Sequence, residues 1–191
     1  MDVPGRASVE LYWLPLGAGG HSVRLNGKLF EAFAAWRGRR ERCDLYHGAL
    51  EVVFDGRFVI EQAPAQAEGA TRGVVATGHV GTRSAGRLRL FRYEIRRWPG
   101  GTIPDRDEAV GGARLLSTDP ATVRRLLELV PDVPVPTWGR DELHAGEMWN
   151  SNSVIAWLLT RCGLDVDSIV LPAHGRAPGW RAGIAVARRE P

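Results

Sequence analysis

The segment "MWNSNSVIAWLL", residues 148–159, places Asn150, Ser151, Asn152 and Ser153 directly before an apolar run of helical spacing. One such residue is enough for an N-cap, because its side-chain oxygen accepts a hydrogen bond from an orphan backbone N–H. Four in a row, preceded by Trp149, exceed that need. A serine at a helix N-terminus gains from the dipole and from free backbone donors, and those donors can also hold an oxyanion. Such a serine requires a base within hydrogen-bond reach. His47 in "DLYHGALEVVF" is the candidate, since Gly48 and Ala49 leave room beside its ring. Glu61 and Gln62 lie about one hairpin away, and either can orient an imidazole as the third group of a triad does. Strand register chooses between them, because a one-residue slip exchanges the two faces. Glu61 is preferred, as a carboxylate also stabilises the imidazolium.

The chemistry this set can do is acyl transfer on an amide or ester. Ser151 attacks, His47 takes and returns the proton, and Glu61 or Gln62 fixes the ring. Backbone N–H groups of the helix N-terminus, with Asn152, hold the oxyanion, and Asn150 and Trp149 complete the site. The plainer reading stays open beside it, in which "NSNS" is an over-supplied helix cap and His47 a hydrogen-bonded histidine at a sheet edge.

Several elements must position these residues. "VELYWLPLG" reads as a buried strand running into the glycine-rich "GAGGHS". That loop lacks the Gly-Lys-Ser/Thr ending of a phosphate loop, and Ser22 stands where a dinucleotide fingerprint needs its third glycine. His21 is a loop residue. Asn26-Gly27 signals a turn, and "LFEAFAAWRGRR" has helical spacing up to Gly38. "DLYHGALEVVF" and "RFVIEQAP", joined by Asp55-Gly56, predict a hairpin. Residues 63–86 read as loop with a short strand in "GVVATGHV". "RLRLFRYEIRRW" reads as a strand with a slip at Phe91, ended by Pro99-Gly100-Gly101. "STDPATVRRLLELV" opens as a helix capped by Thr118 or Asp119, with Pro120 in its first turn and Pro131 as its stop. A proline-rich connection follows. "NSVIAWLLTRCG" is a second helix with Gly163 at its C-terminal end, and "GWRAGIAVARR" reads as a closing strand. Strands in the middle with helices on either side predict an α+β fold with a mainly antiparallel sheet.

The totals narrow the classes. The 191 residues favour one domain, 1–191. An apolar content of 44% and a charged content of 25% suit a globular chain. No apolar run reaches the ~18 residues of a membrane span, and "MDVPGRASVE" shows no secretory signal, so the expectation is a cytoplasmic protein with no membrane partner. The net charge is +3 and Lys28 is the sole lysine. The densest basic cluster, "WRGRRER" with Arg37, Arg39, Arg40 and Arg42, reads as a solvated helix end, and a nucleic-acid partner is not expected. Cys43 and Cys162 do not make a disulfide scaffold. No cysteine–histidine spacing suggests zinc, and neither metal nor organic cofactor is expected. His79, His144 and His174 lie in loop-like segments with surface or cap roles. Of Trp138, Trp149, Trp157 and Trp180, which are placed to wall a pocket, Trp157 belongs to the apolar helix face.

Two motifs carry a family resemblance. "LYHGALEV" resembles the histidine strand of the permuted papain-like hydrolases, and "NSNSVIAWL" resembles their nucleophile helix, in which Asn-Cys-Asn-His precedes an apolar run. The group includes the PPPDE-type peptidases and, more distantly, the lecithin–retinol acyltransferase type and the NlpC-type amidases. Their permuted order, histidine before nucleophile, is the order of His47 and Ser151. The resemblance implies a permuted papain-like fold, His47 as base, and Asn150 and Asn152 as the asparagines flanking the nucleophile. It spans residues 45–53 and 149–159. Ser151 stands where the family places cysteine, and Ser153 where the PPPDE type commonly has histidine. A thiol beside histidine can form an ion pair at neutral pH; a serine must lose its proton during attack. Cys162 lies about three turns down the helix, and Cys43 precedes the histidine strand, so neither replaces it. Two functions are implied: a Ser–His hydrolase or transferase acting on a protein or small-molecule amide or ester, or a catalytically inactive papain-like domain that binds a partner. Substrate and oligomeric state stay open.

Overall fold

The computed structural model describes residues 6–16, 43–65, 73–103 and 105–189. His21, the Asn26-Gly27 turn, the helix expected in "LFEAFAAWRGRR" and the Arg37–Arg42 cluster fall outside these residues.

Asp55 and Gly56 both take positive φ, 47° and 139°, and Phe54 N–H donates to Gly56 O at 2.8 Å. This tight turn joins β2 (Asp44–Val53) to β3 (Arg57–Pro64) as the expected hairpin. β1 (Ser8–Pro15) pairs antiparallel with the other edge of β2 from Ser8↔Val53 to Pro15↔Tyr46. β4 (Val74–His79), β5 (Arg92–Pro99) and β6 (Arg114–Ser117) complete an order β4-β5-β3-β2-β1-β6, and a two-residue β7 (Gly175–Arg176) pairs parallel with the start of β2. All other pairings are antiparallel. The chain is thus α+β, with a seven-stranded sheet and three α-helices among the described residues.

α1 (Pro120–Leu129) is capped by Asp119, whose carboxylate accepts from Thr122 N at 2.8 Å, and buries Val123, Leu126 and Leu127 at helical spacing. α2 (Ser151–Arg161) is buried from Asn152 through Leu159, which makes it the central helix. It ends in a Schellman turn, with Gly163 at φ 77° and Leu164 N–H bonded to Leu159 O at 3.1 Å. No helix of the described residues is long and apolar enough to cross a membrane.

Two expectations need correction. "GWRAGIAVARR" is not a strand but α3 (Trp180–Arg189). Its alternation of Trp180, Ala182, Ile184 and Val186 mimics period two, yet the buried set also includes Gly183 and Ala187, which only a helix places on one face. Packing decides, because Gly183 lies against Ser153 O and Ala156 of α2 so closely that a Cβ would collide with that carbonyl. "RLRLF" does not join β5; Arg89–Phe91 forms a single 3-10 turn with no buried residue, and the strand begins at Arg92. Arg114–Ser117 forms the edge strand β6.

Two layers result. Trp13, Leu11 and Val9 of β1, Tyr46, Leu50 and Val52 of β2, and Ile60 of β3 pack with α1, α2 and α3. Tyr12, Leu14, Ala49, Val59 and Ile103 form a smaller cluster on the opposite face.

Candidate functional site

The first turn of α2 is built into the edge of β2. Along that edge β3 pairs up to Leu50, and β7 pairs at Asp44 and Leu45. Between them Gly48 N–H and Tyr46 C=O face no strand among the described residues. The Asn152 side chain fills the gap: its Oδ1 accepts from Gly48 N at 2.8 Å and its Nδ2 donates to Tyr46 O at 3.0 Å. A side-chain amide matches the donor and acceptor pattern of a peptide group, so it substitutes for one rung of a missing strand. The two groups it holds flank His47. The helix N-terminus and the histidine strand are thereby locked together across 104 residues of sequence.

Other residues of "NSNS" secure this lock. Asn150 Oδ1 accepts from Asn152 N at 2.9 Å, and Asn150 N–H donates to Ser153 Oγ at 3.1 Å, which closes a capping box. The Asn150 and Asn152 amides both donate to Pro178 O, at 2.8 and 2.9 Å, and the Ser153 hydroxyl donates to Gly179 O at 2.8 Å. Gly179 N–H in turn donates to Glu147 Oε2 at 3.0 Å. The 178–179 turn therefore reaches the cap only because residue 179 is glycine. Its φ is +82°, and a Cβ would lie 2.6 Å from Asn150 Oδ1.

Three of the four polar residues are thus consumed by structure. The Asn152 amide gives both of its hydrogens to Tyr46 O and Pro178 O, and the Asn150 amide is tied to Pro178 O, so neither side chain stands free beside Ser151. Ser151 differs: it is half-buried, and among the described residues neither its hydroxyl nor its N–H makes a hydrogen bond. Its own N–H is the backbone donor left for an oxyanion, because Asn152 N and Ser153 N are taken by the cap.

His47 is half-buried in β2 opposite Leu14. A Cβ on Gly48 would meet Ile155 of α2 at 3.6 Å. Strand alternation therefore turns the His47 ring to the other face, with Leu14 and Ala49. Ser151 sits at the sheet edge where α2 begins, and no hydrogen bond joins it to His47 among the described residues. Burial pushes the imidazole down to about 4, against a smaller opposing pull from the Asp105 carboxylate. The ring is neutral at pH 7.

Glu61 does share the His47 face, as its register partner Arg96 and neighbour Val59 show. It is spent elsewhere, however. Arg96, 1% exposed, bonds Glu61 Oε1 at 3.2 Å, Glu94 Oε2 at 2.8 Å and Pro64 O at 3.2 Å. Gln62 pairs with Ile95 and faces the α2 side, where its Oε1 is buried with no hydrogen-bond partner among the described residues. Neither orients His47, since alternation and the pull of a buried arginine decide both. Sequence reasoning overlooked Asp105, which stands in left-handed conformation (φ 59°) on a loop with no strand or helix signal.

Trp149 is buried at 1% exposure, and its Nε1 has no hydrogen-bond partner among the described residues. Trp157 is core, as expected, and Trp180 packs on Trp13 with ring centroids 5.0 Å apart. Cys162 is buried and its thiol pushed up to about 12, so it is no nucleophile. His144 and His174 are exposed turn residues with positive φ, whereas the His79 ring is packed on Gly86. Among the described residues no three His, Cys, Asp or Glu side chains converge as metal ligands. In comparisons with known proteins the chain matches no family model, no curated protein and no solved structure.

Proposed function

We propose that the chain is an acyl or amide hydrolase or transferase of permuted papain-like architecture, with Ser151 as nucleophile and His47 as base. One observation carries the reading: Asn152 bonds both backbone groups flanking His47, while among the described residues Ser151 alone of "NSNS" is left without a structural bond. The order His47 then Ser151, on a strand and at a helix N-terminus, is the order the resemblance implies. In this mechanism Ser151 Oγ attacks the carbonyl carbon and its proton passes to His47. The Ser151 N–H and the α2 dipole stabilise the oxyanion. His47 then returns the proton to the leaving group, and water hydrolyses the acyl-serine or another acceptor takes the acyl group. The ring lies on the far face from the body of α2, so the proton transfer requires the Ser151 hydroxyl and the imidazole to meet around the sheet edge.

A second reading is favoured by a specific observation. A general base works best with a pKa near the operating pH, whereas burial pushes His47 down to about 4 and Glu61 is committed to Arg96. The same architecture then serves as a catalytically inactive binding domain.

A fluorophosphonate probe on the full chain separates the two. Catalysis predicts labelling at Ser151 that is lost in Ser151→Ala and falls at least about a hundredfold in His47→Ala. A folded wild-type protein that resists the probe hands the site to the binding reading.

A further inference from the structure

The connection between β4 and β5 presents a surface that the candidate site does not use. Residues 80–93 hold Arg83, Arg87, Arg89 and Arg92 and no acidic residue. Leu88, Leu90 and Phe91 are 64, 83 and 38% exposed. A second segment joins them: Trp138, 40% exposed, is bridged to Val80, and Val80 N–H donates to Phe91 O at 2.9 Å. Trp138 N–H donates to His79 O at 2.7 Å, and Arg140 Nε donates to Gly81 O. The nearby acids are engaged locally, and Glu142 Oε2 also lies 3.7 Å from the exposed Arg83 guanidinium. Glu142 accepts from the Thr137 N–H and hydroxyl at 2.9 and 2.8 Å, and Asp141 from Ala145 N and Gly146 N at 2.6 and 2.9 Å.

We propose that this corner docks on an anionic membrane surface, with Leu88, Leu90, Phe91 and Trp138 entering the headgroup boundary and the arginines meeting lipid phosphates. Contiguous exposed apolar side chains rimmed by charge mark interaction sites. Here the leucines project outward, which a fluid interface accepts, and tryptophan favours that same depth. A nucleic acid would use the arginines and rings but leave the leucines in water. Interfacial binding needs no membrane-spanning segment, so the lack of a long apolar run does not oppose it.

Sedimentation of the full chain with phosphatidylcholine vesicles, with and without phosphatidylserine, tests the proposal. The expected result is binding to the anionic vesicles only, weakened by added salt. Leu88→Asp and Leu90→Asp should each weaken it about tenfold or more, and Arg87→Glu about fivefold or more. All three positions are exposed, and unchanged urea midpoints confirm that the variants fold. The proposal is overturned if the wild type ignores anionic vesicles, or if Leu90→Asp binds them as the wild type does. It is equally overturned if a single-stranded oligonucleotide displaces the vesicles and binds through Arg87 with both leucines dispensable.

Discussion

Replacing Asn152 by alanine tests the central contact of the molecule. The side chain is 2% exposed and makes three hydrogen bonds, to Gly48 N, Tyr46 O and Pro178 O. Pro178 O keeps the Asn150 amide as a donor at 2.8 Å, so alanine orphans two buried backbone groups rather than three. An orphaned buried group costs about 1–3 kcal/mol, which puts the loss at about 2–6 kcal/mol. That is a large part of the 5–15 kcal/mol typical of a domain. Urea unfolding followed by tryptophan fluorescence measures it as a fall in midpoint at constant slope. Asn152→Asp sharpens the reasoning. The carboxylate still accepts from Gly48 N, but its second oxygen faces the Tyr46 and Pro178 carbonyls instead of donating to them. It should be no better than alanine at pH 7 and should recover as the pH falls and the carboxyl gains a proton. A loss below about 1 kcal/mol for alanine, or an aspartate variant as stable as wild type, would refute the account of Asn152 as a substitute strand rung.

Two further predictions follow from the same geometry. Gly179→Ala forces a left-handed backbone and a collision with Asn150 Oδ1, and should cost about 2–4 kcal/mol, read as a thermal midpoint lower by roughly 5–15 °C; an unchanged midpoint would mean that the 178–179 turn does not hold the cap. His47 has a folded pKa of about 4 against 6.5, so between these values the unfolded chain binds the extra proton and folding stability falls as the pH drops. The loss begins near pH 6.5, levels below about 4 and totals at most about 3–4 kcal/mol, and His47→Gln should remove that part of the pH dependence in urea titrations between pH 7 and 4.

Periodicity and turn chemistry made much of the fold legible from residues alone. The Asp55-Gly56 hairpin, the Asp119-Pro120 helix start, and the polar cap and Gly163 stop of α2 are local signals, each set by backbone conformations that few residues tolerate. α3 was not legible, because Trp180, Ala182, Ile184 and Val186 satisfy two periods at once, and only contact with Ser153 and Ala156 of α2 selects the helix. "RLRLF" misled because its alternation buries no side chain among the described residues: Arg89–Phe91 forms an exposed 3-10 turn.

The site divides along the same line. Residue types by themselves pointed to a polar helix start and a histidine strand, with Ser151 and His47 as the candidates on them for acyl chemistry. Only the tertiary structure decided what each polar group does. Asn152 is bound to a β2 edge that β3 and β7 leave open, Glu61 is drawn to the buried Arg96, and Gln62 is turned to the other face by register. Hydrogen-bond partners far apart in sequence are chosen by strand pairing and burial, and neither is written in the identity of a single residue.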